Sequence, residues 1–120
     1  MKIVLIADDK PTGRELIRTV LEKSGYTVIE ASDGVEALQI ARERNPDLII
    51  LDLHMPGLDG FSVIQELRRD EHFAATPIMA LTASAMQGDR ERAMAVGFTG
   101  YVTKPIRLGA LRGEVERLLR

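Results

Sequence analysis

The chain has 120 residues, 45% of them hydrophobic, no Cys, and 16 Lys and Arg against 18 Asp and Glu, for a net charge of −2 at pH 7. That size fits one domain, residues 1–120, able to fold without staples, and the lack of Cys excludes a disulfide frame or a thiolate metal site and fits a reducing cytoplasm. The absence of a basic stripe, aromatics limited to two Tyr and three Phe, apolar runs of about five residues where a membrane helix needs ~20, and an N-terminus without a signal-peptide stretch argue against nucleic-acid binding, membrane insertion and secretion.

Short apolar runs alternate with helix-period stretches, as in a parallel sheet covered on both faces. Ile3–Ala7 is the first strand and runs into Asp8-Asp9. Pro11 suits the first turn of a helix, where its missing N–H costs nothing. Leu16, Ile17, Val20 and Leu21 form the stripe of that helix, and Gly25 ends it. Tyr26–Ala31 reads as the second strand. Asp33 and Glu36 are spaced as a capping box for the next helix, which carries Leu38 and Ala41 and stops at Asn45-Pro46. Leu48–Leu51 is the third strand, running into Asp52. The turn-rich Met55-Pro56-Gly57-Leu58-Asp59-Gly60 follows, then a helix with Phe61, Ile64 and Leu67. Thr76-Pro77 leads into the fourth strand, Ile78–Leu81, which runs into Thr82. A helix covers about Asp89 to Val96 and ends at Gly97. Tyr101–Thr103 is the fifth strand and runs into Lys104. The last helix carries Leu108, Leu111, Val115, Leu118 and Leu119, with Arg117 and Arg120 near its C-terminal dipole. Gly109 and Gly113 weaken it by about 1 kcal/mol each relative to Ala, so its stability leans on packing. The reading is five strands and five helices, with no repeat, low-complexity tract or linker.

Ligands of an open parallel α/β sheet bind outside the carboxyl ends of its strands. Parallel strands would therefore bring Asp8, Asp9, Asp52, Thr82 and Lys104 together. A carboxylate attacks phosphorus weakly and needs charge neutralised around it. Adjacent carboxylates repel unless something screens them, and Mg²⁺ favours one or two carboxylates plus phosphate and waters. Each residue also has a plainer reading. Asp52 could simply start a loop, Asp8-Asp9 could complement a helix dipole, Lys104 could be solvated, and Thr82 could satisfy its own backbone.

Asp8-Asp9, Asp52, Met55-Pro56-Gly57-Leu58-Asp59-Gly60, Thr82-Ala83 and Lys104-Pro105, in this order and spacing, resemble the receiver domain of two-component response regulators over essentially the whole chain. The resemblance implies a flavodoxin-like, doubly wound five-stranded parallel sheet of order 2-1-3-4-5 with five helices. It implies a phosphorylation-activated switch in which Asp52 accepts a phosphoryl group from the phosphohistidine of a sensor histidine kinase or a histidine phosphotransfer protein of a phosphorelay. The reaction needs Mg²⁺, with Mn²⁺ as substitute. By the same resemblance Asp9 and Asp52 bind the ion directly, Asp8 acts through water, and the backbone carbonyl of His54 supplies another oxygen. Lys104 reaches the phosphoryl oxygens, aimed by a cis bond to Pro105, and Thr82 donates its hydroxyl. Thr82 then moves toward the phosphate and Tyr101 rotates into the vacated space. This reshapes the face of the fourth helix, fifth strand and last helix for a downstream protein target. Tyr101 could equally be a fixed amphipathic side chain at the sheet edge. His54 and Ser84 tune hydrolysis of the aspartyl phosphate, so the chain catalyses only its own phosphorylation and dephosphorylation. Arg14, Ile17 and Ile106 fall where the family reads its kinase. The expected state is a monomer or a weak phosphorylation-dependent dimer, stand-alone or part of a larger regulator or hybrid kinase.

Some positions sit outside this pattern. Lys10 reads as an exposed lysine and His72 as a solvated one-off. His54 has no second His or Cys to make it a side-chain metal ligand. Met79, Met86 and Met94 default to core packing, with Met86 also a candidate for a partner surface. A phosphohydrolase of the haloacid-dehalogenase type needs a second carboxylate two residues after its nucleophile, where this chain has His54. A flavodoxin-like small-molecule binder needs a Gly-rich loop after the first strand, and none is present. A receiver working without phosphate is opposed by the intact acidic set.

Overall fold

The computed structural model describes residues 1–83 and 88–120. Among them, strands β1 (Ile3–Ala7), β2 (Thr27–Ala31), β3 (Leu48–Asp52), β4 (Ile78–Thr82) and β5 (Gly100–Thr103) form one parallel sheet in the order β2-β1-β3-β4-β5. Helices α1 (Pro11–Lys23), α2 (Gly34–Arg44), α3 (Gly60–Arg69), α4 (Asp89–Ala95) and α5 (Leu108–Leu119) connect and follow the strands, with a short 3-10 turn at Glu71–Phe73. None of these helices is long and apolar enough to cross a membrane.

The aliphatic runs form strands because every residue of β3 and β4 is buried, which a sheet covered on both faces requires. Alternate side chains then divide into two layers. Leu5, Ile49, Leu51 and Ile78 pack against Leu38 of α2 and Ile64 and Leu67 of α3. Ile6, Ile50, Met79 and Leu81 pack against Ile17 and Leu21 of α1 and Leu111 and Val115 of α5.

The helix starts follow the local chemistry. Asp33 caps α2 by accepting the Glu36 N–H at 2.8 Å, while the Glu36 carboxylate turns back to the Ser32 N–H at 2.8 Å. Asp59 caps α3 through the Ser62 N–H at 2.8 Å. Gly60 opens α3 against the end of β3: a Cβ there would lie 2.6 Å from the Asp52 carbonyl oxygen and 2.9 Å from Leu53 Cα.

Two side-chain clips tie elements together. Arg68 at the end of α3 donates from Nη1 to the carbonyls of Phe73 (2.6 Å) and Thr76 (2.8 Å), and from Nη2 to that of Gly97 (2.7 Å). Burial lowers the pKa of its guanidinium. Glu114 on α5 accepts the edge N–H of Tyr101 at 3.2 Å and Arg117 Nε at 2.7 Å, while Arg117 Nη2 reaches the Thr99 carbonyl at 3.0 Å. The Arg117 hydrogen bond holds the Glu114 carboxyl below its usual range.

Several sequence expectations shift here. Strand β2 begins at Thr27, because the Tyr26 N–H still bonds the Leu21 carbonyl of α1 at 3.1 Å. Leu16, Leu108 and Met94 are exposed at the borders of their apolar stripes, whereas Met79 is wholly buried. Met86 lies outside the described residues.

Candidate functional site

Strand register assembles the site. Ala7 pairs with Leu51, so Asp8 and Asp52 reach the same rim, and Thr82 pairs with Thr103, which brings Lys104 to it as well. Asp8, Asp52 and Thr82 are buried there although polar, and burying a polar group is costly unless it is paired. The pairing is specific. Asp52 Oδ1 accepts the His54 N–H at 2.9 Å and its Oδ2 accepts Lys104 Nζ at 2.7 Å. Asp8 Oδ1 accepts the Lys10 N–H at 3.0 Å and its Oδ2 accepts Lys104 Nζ at 3.1 Å. Asp9, adjacent in sequence, is exposed, yet carboxylate oxygens of Asp8, Asp9 and Asp52 all lie within 4.8 Å of one another.

The electrostatics follow from that crowding. Burial raises the Asp52 pKa and nearby Asp8 adds to the rise, against the opposing pull of Lys104 and the His54 amide. For Lys104, burial alone would lower the ammonium, but its hydrogen bonds to Asp52 and Asp8 outweigh that and hold it above its usual range. Three carboxylates face one ammonium, a formal excess of two negative charges. An all-oxygen donor set with one solvent-facing member suits a hard, partly hydrated divalent cation such as Mg²⁺.

The His54 side chain is exposed, Tyr101 is half-buried in β5, and Ser84 lies outside the described residues. The Lys104-Pro105 bond is cis. Ile106 is half-buried against the α1 and α5 layer. Ile17 is fully buried between α1 and the sheet, which removes it as a partner contact. Arg14 is turned inward: Nη1 donates to the Asp8 carbonyl at 2.6 Å and Nε pairs with Glu30 at 3.0 Å. Sequence reasoning missed this inward role, because a bond from a side chain to a backbone carbonyl leaves no spacing signature.

The family model for the response regulator receiver domain matches residues 4–116. The chain belongs to the response regulator receiver domain family. Among curated relatives, this receiver domain is similar to the polar-differentiation response regulator DivK of Brucella ovis, 42% identical over 105 residues, which span 88% of this chain and 85% of that protein. Among solved structures it is similar to chemotaxis response regulator CheY4 of Vibrio cholerae, with TM-score 0.94 and 34% identity over 99% of both chains. It is also similar to the receiver domain of sensor histidine kinase PA1611 of Pseudomonas aeruginosa, solved with a magnesium ion coordinated in its active site cleft. That likeness has TM-score 0.90 and 35% identity over 98% of this chain and 97% of the other. The flavodoxin-like order 2-1-3-4-5 expected for a receiver is the order found. Two-component signalling is thus the setting of this receiver domain.

Proposed function

We propose that residues 1–120 act as one phosphoacceptor domain in which Asp52 takes a phosphoryl group from a phosphohistidine of a histidine kinase or histidine phosphotransfer protein. The observation that carries this reading is Lys104 Nζ, 2.7 Å from Asp52 Oδ2 and 3.1 Å from Asp8 Oδ2. In the transfer, an Asp52 oxygen bonds to phosphorus as the P–N bond breaks, and the imidazole nitrogen keeps the electron pair. Such a transfer is chiefly positioning and charge neutralisation. Lys104, already held at the carboxylate, is placed to neutralise phosphoryl oxygens, and the Thr82 hydroxyl donates to another. Asp8, Asp9 and Asp52, with the backbone carbonyl of His54, would hold Mg²⁺, or Mn²⁺ in its place. When bound, the ion supplies positive charge for the phosphoryl oxygens.

Phosphorylation replaces one carboxylate charge with roughly two negative charges. Thr82 responds to that charge, Tyr101 follows it, and the α4, β5 and α5 face changes for a downstream protein target. His54 and Ser84 set how fast water removes the phosphoryl group. The domain works as a monomer or a weak phosphorylation-dependent dimer in the cytoplasm.

Incubation with acetyl phosphate and Mg²⁺, followed by intact-mass measurement, tests the reading. The expected result is a labile gain of one phosphoryl group that disappears in Asp52→Asn and on chelating Mg²⁺. Steady turnover of a general phosphomonoester without a labelled intermediate would overturn it in favour of a hydrolase.

A further inference from the structure

Asp9 is the exposed member of the acidic cluster, and its side chain has no hydrogen bond or ion pair among the described residues. Its place beside Asp8 and Asp52 is therefore set by the backbone. The peptide joining Asp8 to Asp9 is planar, and its carbonyl oxygen accepts Arg14 Nη1 at 2.6 Å. The preceding Ala7–Asp8 peptide is held as well, its Asp8 N–H donating to the Ala31 carbonyl at 3.2 Å. Arg14 is itself oriented from β2. Its Nε pairs with Glu30 Oε1 at 3.0 Å, and Glu30 Oε2 is held by Arg18 Nη1 at 2.9 Å. The Arg14 side chain is only 16% exposed, and a planar fork bonded in two directions has little rotational freedom.

Resting on the reading of Asp8, Asp9 and Asp52 as a Mg²⁺ site, we propose that Arg14 is a positioning residue for it. Arg14 fixes the Asp8–Asp9 peptide, and that peptide keeps the Asp9 carboxylate within reach of the other two. The same guanidinium carries a positive charge, which acting through space opposes a divalent cation. The two effects have opposite signs. Removing a mere charge tightens Mg²⁺ binding, whereas removing a clamp weakens it.

Calorimetric titration of the full chain with Mg²⁺ decides between them, using Arg14→Met and Arg14→Lys, with metal-free thermal unfolding as the check on folding. Supporting residues of this kind typically shift metal affinity by tenfold or more, so Arg14→Met should bind Mg²⁺ about tenfold more weakly. Arg14→Lys should fall between it and the wild type, because an ammonium keeps the charge but cannot span both the Asp8 carbonyl and Glu30 with a rigid fork. Wild-type or tighter affinity in Arg14→Met overturns the proposal. Should that variant not fold, Arg14→Lys carries the test: weaker binding supports the clamp, and unchanged or tighter binding overturns it. A wild-type chain that binds no Mg²⁺ overturns this proposal together with the metal reading beneath it.

Discussion

Asp52 sits where ionising a carboxylate is costly. It is 4% exposed, close to Asp8, and compensated chiefly by Lys104. Its pKa is raised by burial, so the folded chain holds that proton more tightly than the unfolded chain does. By linkage, the stability present below the unfolded value is lost as pH rises through the folded one. Asp52→Asn carries no such loss. It should be more stable than the wild type at pH 7 in metal-free buffer, with the gap closing as the solution is acidified toward the unfolded value. Urea unfolding at neutral and acid pH measures this. An Asn variant no more stable at neutral pH would show that Lys104 fully offsets the buried charge. A more stable Asn variant would mean that the proposed phosphoacceptor also weakens the fold.

Helix α3 shows how one element positions another. Its first residue, Gly60, lies against the backbone of Asp52 and Leu53, so a methyl group there must displace the tip of β3. Overpacking of this kind costs about 1–3 kcal/mol, and Gly60→Ala should lower the unfolding free energy by that amount. Gly113 in α5 has open space around its Cβ position. Gly113→Ala should instead stabilise by up to ~1 kcal/mol, since Gly is a poor helix former. Paired urea titrations report both signs. At this scale much was legible beforehand. The buried runs, the Asp33 cap and the polar residue closing each of four strands are local patterns, and parallel pairing turns them into one rim. What stayed hidden depends on contacts across the fold. Arg14 meets a carbonyl six residues back, Arg68 gathers carbonyls from two separate loops, and Glu114 covers an edge amide of β5. Nothing in the spacing of arginines or glutamates announces those acceptors. The buried stripe of α1 stops short of Leu16, because periodicity identifies a face without locating its border.

For the whole molecule, exposed ion pairs such as Arg18–Glu22 and Arg69–Glu66 add little. Cation binding at the rim would add more, because its residues belong to β1, β3 and β5 ends and come together only in the folded sheet. A cation that binds only the folded state stabilises it by about 2.7 kcal/mol at a hundred times its Kd. Mg²⁺ should therefore raise the melting temperature of the wild type, and do so less at the same concentration for Asp9→Asn. Equal shifts would remove Asp9 from the proposed metal site. The Lys104–Asp8 bond joins residues 96 positions apart. Ribosomes deliver the N-terminus first, so all three acids emerge before their counter-charge has been translated. A nascent chain halted ahead of β5 carries all three acids but not the ammonium that pairs with two of them. Completion of the site thereby reports that translation has passed the fifth strand.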